Sequence, residues 1–191
     1  NNFEALFYLG TLLAQLKKFS EASIMLYNAI KVKPDIPDLH NNLGLIYREL
    51  GESEKSITSF NKAIQLNPNF DVAYNNQGIV YRDIGDLENA DSAFSEIVKL
   101  EPEYVEGRNK RATLKFLLGD FIGSLNDIEE VLKRQPRHFG AISGSGLIHM
   151  HNRNYEDAYA SYKKLFKIDP LNEDSKRFLP ILENKIFGKS L

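Results

Sequence analysis

Metal binding needs histidine, cysteine or carboxylate side chains on one face of an element, and nucleophilic catalysis needs a hydroxyl or thiol beside a base. The chain has no cysteine, which removes disulfides, thiolate chemistry and cysteine-type zinc sites. Its four histidines are His40, His138, His149 and His151. His149 and His151 are two positions apart, so on a helix they point to different faces, whereas a metal pair wants a step of three or four. His40 and His138 stand near expected helix starts and read as structural or surface residues. The many carboxylates fall on solvent faces or near helix starts, where they favour the helix dipole. Ser143-Gly144-Ser145-Gly146 is glycine-rich but lies inside an expected helix. Close helix packing accounts for it, and a flexible ligand contact is the alternative. No nucleophile–base pair can be nominated. The expectation is a chain without catalytic residues, metal or cofactor.

What remains is binding, and the elements that position binding residues are set by a repeat. Pro34, Pro68, Pro102, Pro136 and Pro170 recur at one constant interval. A fixed period of this length decides the architecture before any other signal. Leu39 to Pro68 contains two short amphipathic patterns, a turn at Gly51 and a terminating proline. Ala73 to Pro102 repeats it. The first helix of each unit carries a small residue, at Gly10, Gly44, Gly78, Ala112 and Gly146. The second carries another, at Ala22, Ser56, Ala90, Ser124 and Ala158. Small residues on both sides let the paired helices approach, and larger apolar residues such as Leu26, Phe60, Phe94, Ile128 and Tyr162 fill the remaining space. Gly51, Gly85 and Gly119 suit turns with positive φ, Asp86 and Asp120 can cap the second helices, and the prolines stop them.

Composition narrows the classes further. Of 191 residues, 42% are hydrophobic and 26% charged, which fits a folded chain and argues against disorder. The net charge of −2 supplies no global field toward nucleic acid or an anionic membrane. No apolar run approaches the ~20 residues of a membrane span, and no secretory leader is visible. The compartment is unfixed, with the cytoplasm favoured. The chain begins at Asn1, without Met and almost inside a repeat, and is read as a fragment or processed product of a longer protein.

This recurring pattern of small residue, aromatic, Ala, Phe and Pro resembles the tetratricopeptide repeat family. The resemblance implies an all-α, right-handed solenoid of helix–turn–helix repeats. Five repeats are expected, at about 3–36, 37–70, 71–104, 105–138 and 139–172. A capping helix over 173–191 follows, with an apolar face at Phe178, Leu179, Ile181, Leu182, Ile186 and Phe187; a linker whose apolar face docks elsewhere is the alternative. There the repeating pattern breaks, and Pro180 is expected to kink the helix or mark its first turn. In repeat four, Arg108, Arg111 and Lys115 replace the first-helix core residues and with Lys110 concentrate positive charge on one helix. Pairing with nearby acids such as Glu101, Glu106 and Glu129 is expected, and an anionic contact on the partner is the alternative.

The family resemblance also implies a concave groove lined by the first helices. In repeat one this gives Glu4, Phe7, Tyr8 and Thr11. Repeat two gives Asn41, Asn42, Leu45, Arg48 and Glu49, and repeat three Asn75, Asn76, Ile79, Arg82 and Asp83. Repeat four gives Asn109, Lys110, Thr113 and Phe116, and repeat five Ser143, Leu147 and Met150. Some family members clamp chaperone C-termini with Lys, Asn and Arg. No complete set stands in three consecutive repeats here, which argues against that partner. Asn42 and Asn76 share one register, similar to the asparagine ladder in the repeat superhelix of O-GlcNAc transferases. An amide offers both donor and acceptor to a peptide backbone, while plain solvation of the groove is the alternative. The expected function is a non-catalytic protein–protein interaction scaffold that binds a peptide or protein segment in the groove. The alternatives are the substrate-recruiting arm of a larger enzyme such as a glycosyltransferase, or a scaffold that self-associates through its end repeats. No nucleic-acid partner and no membrane insertion are expected.

Overall fold

The computed structural model describes residues 2–188. All of the regular structure among them is α-helix, arranged as a helical repeat solenoid. The chain divides into two compact units, Asn1–Pro102 and Glu103–Leu191. Unit one holds three helix pairs: α1 (Phe3–Gln15) with α2 (Phe19–Val32), α3 (Pro37–Glu49) with α4 (Ser53–Leu66), and α5 (Asp71–Asp83) with α6 (Leu87–Leu100). Unit two holds α7 (Val105–Leu117) with α8 (Phe121–Arg134), α9 (Phe139–His151) with α10 (Tyr155–Ile168), and α11 (Glu173–Phe187).

Short-range chemistry sets these limits. Pro37 opens α3, where its missing N–H costs nothing. Asp86 and Asp120 accept from the N–H groups of Asn89 (3.2 Å) and Gly123 (2.8 Å), as their positions imply. His138 Nδ1 accepts from Ala141 N–H at 3.1 Å and caps α9, so its Nε2 carries the proton that faces Glu106 at 3.0 Å. His40 Nε2 donates to the Pro34 carbonyl at 2.7 Å, and the His151 ring lies 4.3 Å from that of Phe121. These three histidines therefore have structural roles.

Each pair closes over its small residues. A Cβ placed on Gly44 would stand 2.6 Å from the Phe60 ring, which only glycine avoids. Ser56 and Ser124 add a bond to this contact, their hydroxyls donating to the carbonyls of Gly44 and Ala112 at 2.7 Å each. Phe60, Phe94 and Tyr162 are wholly buried. Burial of such a side chain stabilises by roughly 1.5–3 kcal/mol. In unit one a core continues from Leu26 and Ala29 of α2 to Leu39, Leu43 and Ile46 of α3. In unit two, one cluster forms around Ala112, Ile128, Val131 and Ile148, and another around Ile142, Tyr162, Leu165 and Leu182.

The last helix departs from expectation in its register, and of the two places expected for Pro180 it takes the helix interior. It begins at Glu173, as far beyond the start of α9 at Phe139 as Phe139 is beyond the start of α7 at Val105, so it keeps the interval of the first helices rather than breaking it. Ser175 donates to the Tyr162 carbonyl at 3.2 Å, and Phe178 packs 4.9 Å from the Tyr162 ring. Pro180 lies in the interior of α11, beyond its first turn. The expected cap over 173–191 is thus described as far as 188; positions 189–191 lie outside the described residues.

Candidate functional site

The first helices of each unit leave polar and apolar side chains half-exposed over a cavity. In unit one, Thr11, Asn42, Leu45 and Glu49 border a space of about 370 Å³ with Leu26 and Ile46 beneath. These four were expected to line the groove, and the structure brings them together. The asparagines divide differently from expectation. Asn41 and Asn76 are 5% and 8% exposed, and Asn76 donates its amide to Asn41 Oδ1 at 3.0 Å. Asn75 donates to Asn76 Oδ1 at 3.5 Å. Asn76 is therefore spent on a bond between α3 and α5, while Asn42 keeps its place on the cavity. A two-rung ladder of open amides is not what unit one presents. The reason is a one-residue offset: position 41 of α3, not 42, meets position 76 of α5.

Arg82 is also engaged locally, with its guanidinium 2.7 Å from Asp83. Arg48 and Ile79 are half-buried. Phe7 packs against the α2–α3 core and stacks on Phe3 at 6.3 Å, so it serves the core as much as the groove. A second space of about 370 Å³ in unit one lies among Asn61, Tyr74, Gln77, Tyr81 and Asp91. The repeat pattern does not point to it. Gln77 stands where α1 and α3 carry Leu9 and Leu43, and it donates to Asn61 at 2.6 Å.

Unit two holds a smaller cavity, about 290 Å³, walled by Asn109, Thr113 and Phe116 of α7, by Phe139, Ser143 and Leu147 of α9, and by Asn172 and Asp174 at the start of α11. Five expected groove residues meet there. Lys110 does not border it, and Met150 packs into the cluster around Tyr162 instead. Ser143 donates its hydroxyl to Asp174 at 2.5 Å. That acid stands in the first turn of α11, and the repeat pattern does not point to it, because the sequence presents α11 as a cap and not as the third side of a groove.

Beside this cavity, α7 and α8 share a charged cluster. Asp127 is 3% exposed. Arg111 meets it through Nε at 2.8 Å and Nη2 at 2.5 Å, Lys115 at 3.1 Å and Arg108 at 3.5 Å. Burial pushes the Asp127 carboxyl up, but the Arg111 and Lys115 hydrogen bonds and charges outweigh it and hold it below the ordinary aspartate value. Two of the three expected acids also have other partners, Glu106 with His138 at 3.0 Å and Glu129 with Lys133 at 3.3 Å. The signal lies in Asp127 itself, which occupies the register of Met25, Ser59, Ala93 and Ser161. Among the described residues no three His, Cys, Asp or Glu side chains converge as a metal site would need, and no helix is long and apolar enough to cross a membrane.

Three models described as tetratricopeptide repeat match residues 37–70, 59–91 and 109–173, together more than half of the 191 residues. No curated protein matches the sequence. Among solved structures, a tetratricopeptide repeat protein from Parabacteroides merdae superposes with a TM-score of 0.86 at 18% identity, over 99% of this chain and 80% of its own. YrrB, described as a TPR protein with an unusual peptide-binding site, gives 0.79 at 17% identity over 90% and 89%. MamA gives 0.80 at 19% identity over 84% and 94%. At these identities the likeness is one of fold.

Proposed function

We propose, on the premise that this chain belongs to the tetratricopeptide repeat family, that it is an interaction scaffold holding a peptide or protein segment against the exposed faces of its first helices. The observation that carries this reading is that each unit holds a cavity bordered by accessible first-helix side chains of the expected groove. Polar groups with spare donors and acceptors stand there over apolar floors, the combination a segment of chain needs for its backbone and its side chains. YrrB, with its peptide-binding site, shares the fold and supports the same assignment. We read each of the five repeats as one functional unit, the first helix supplying the contact surface and the second helix the support.

The test is site-specific photocrosslinking in extract. A photoreactive residue at Leu45 or Thr113 should capture a protein partner, and one at Lys62 or Lys164, exposed on second helices, should not. Crosslinks formed equally well from the second helices would defeat the reading.

A further inference from the structure

The helix α9 carries glycine at 140, 144 and 146, and helix packing requires only the last. A Cβ on Gly146 would stand 2.7 Å from the Tyr162 ring. At Gly140 and Gly144 the nearest atoms are the ends of flexible side chains, Asn109 Nδ2 and Ile128 Cδ1, each 3.3 Å away. Glycine inside a helix is destabilising relative to alanine, so Gly144 weakens α9 without a close packing contact that demands it. In the preceding first helices the register of Gly144 is filled by Tyr8, Asn42, Asn76 and Lys110. The unit-two cavity therefore exists where α9 presents backbone in place of a side chain.

The surroundings define what fits. Ala112, Ile128 and Ile148 make an apolar floor, and Phe116 and Leu147 stand on the walls. Asp174 is the one ionisable side chain among the described residues that border the space. Ser143 uses one of its lone pairs, and a carboxylate has about four acceptor sites. Arg177, the nearby cation, is held over the Phe178 ring at 5.1 Å. The Tyr162 hydroxyl is wholly buried and has no hydrogen-bond partner among the described residues. Burial, and then the neighbouring Asp174 charge, push its phenol up, against the opposing charge of Arg177. A volume of about 290 Å³ is at the low end of small-molecule sites, which run from about 300 to 1,000 Å³. It suits one side chain and not a multi-ring cofactor.

We infer that this cavity receives a large apolar side chain of a bound peptide, seated on the bare backbone at Gly144, with an adjacent lysine or arginine of the peptide paired to Asp174. This rests on the groove reading above and adds the class of segment that unit two selects. The net charge of −2 is too small to impose such a preference from a distance.

The test is an NMR titration of the protein with three capped hexapeptides, alike except for a central pair: phenylalanine–lysine, phenylalanine–glutamate and alanine–lysine. The phenylalanine–lysine peptide should shift the amides of Gly140, Gly144 and Asp174 and bind at least fivefold tighter than either of the others. Gly144→Leu should weaken it fivefold or more while the melting temperature holds or rises. Asp174→Asn should remove the preference for lysine over glutamate and keep the phenylalanine contact. The inference is overturned if α9 amides stay unmoved at millimolar peptide, if the three peptides bind alike, or if Asp174→Asn keeps the lysine preference. Shifts confined to α3 and α5 would overturn it too, yet leave the wider groove reading standing.

Discussion

At the residue scale, two positions carry a conformation that their side chains resist. Lys17 and Arg153 hold φ of 59° and 58° in the first-to-second-helix turns, at the register where Gly51, Gly85 and Gly119 hold 75° to 82°. The left-handed region costs a non-glycine residue roughly 1–2 kcal/mol, and glycine returns about 0.4–1 kcal/mol of that through its looser unfolded chain. Lys17→Gly and Arg153→Gly should each raise stability by about 0.5–1 kcal/mol, read as a higher denaturant midpoint at unchanged slope. The asparagines allow a sharper comparison. Asn76→Ala leaves the buried Asn41 carbonyl oxygen without its donor, a loss of about 1–3 kcal/mol. Asn42→Ala, at the cavity edge, should stay within about ±0.5 kcal/mol. Equal melts for the two variants would show that the Asn41–Asn76 bond contributes nothing to the fold.

Between elements, the α7–α8 pair shows a different way to fill the same space. At the registers of Leu43 and Tyr47 of α3, α7 carries Arg111 and Lys115, and α8 answers with Asp127. Removing one partner of a buried ionic group is costly because the other charges stay buried without it. Asp127→Ala should therefore cost about 3–5 kcal/mol. Exchanging Arg108, Arg111, Lys115 and Asp127 together for Leu, Leu, Tyr and Ser should be neutral or stabilising by about 1–4 kcal/mol. The sign of the pH effect follows from the lowered Asp127 carboxyl. Its contribution is fully present above the unfolded aspartate value of about 3.9. It is lost as pH falls through the folded value, below about pH 4. The fourfold exchange should flatten that part of the acid limb in chemical unfolding, and an acid limb equal to that of the parent would place the titration elsewhere.

At the scale of the molecule, what the sequence revealed was what repeats. The interval of the prolines anticipates the first-helix starts, which keep that same interval from Phe3 to Glu173. The small residues anticipate the Gly44–Phe60 contact, because a register repeated five times averages out local noise. Interactions that occur once were not legible. The Asn41–Asn76 bond crosses registers by one residue, Asp127 is the one charged residue at a register of Met25, Ser59, Ala93 and Ser161, and the Gly144 cavity is made by a side chain that is missing. The same nearest-neighbour construction governs how the fold fails. Within each unit, helices pack on the next in the chain or the next but one, so stability is close to a sum of local terms. Leu182 of α11 is wholly buried among Ile142, Tyr162 and Leu165, and Leu182→Ala should cost about 2–5 kcal/mol. Opening should begin where that loss falls. Hydrogen exchange is expected to show faster amide exchange through α10 and α11, a weaker effect in α9, and unchanged protection in α7 and α8. Equal acceleration of every protected amide in unit two would mean that the unit opens as one body, and the account of α11 as a local cap on its neighbours would fail.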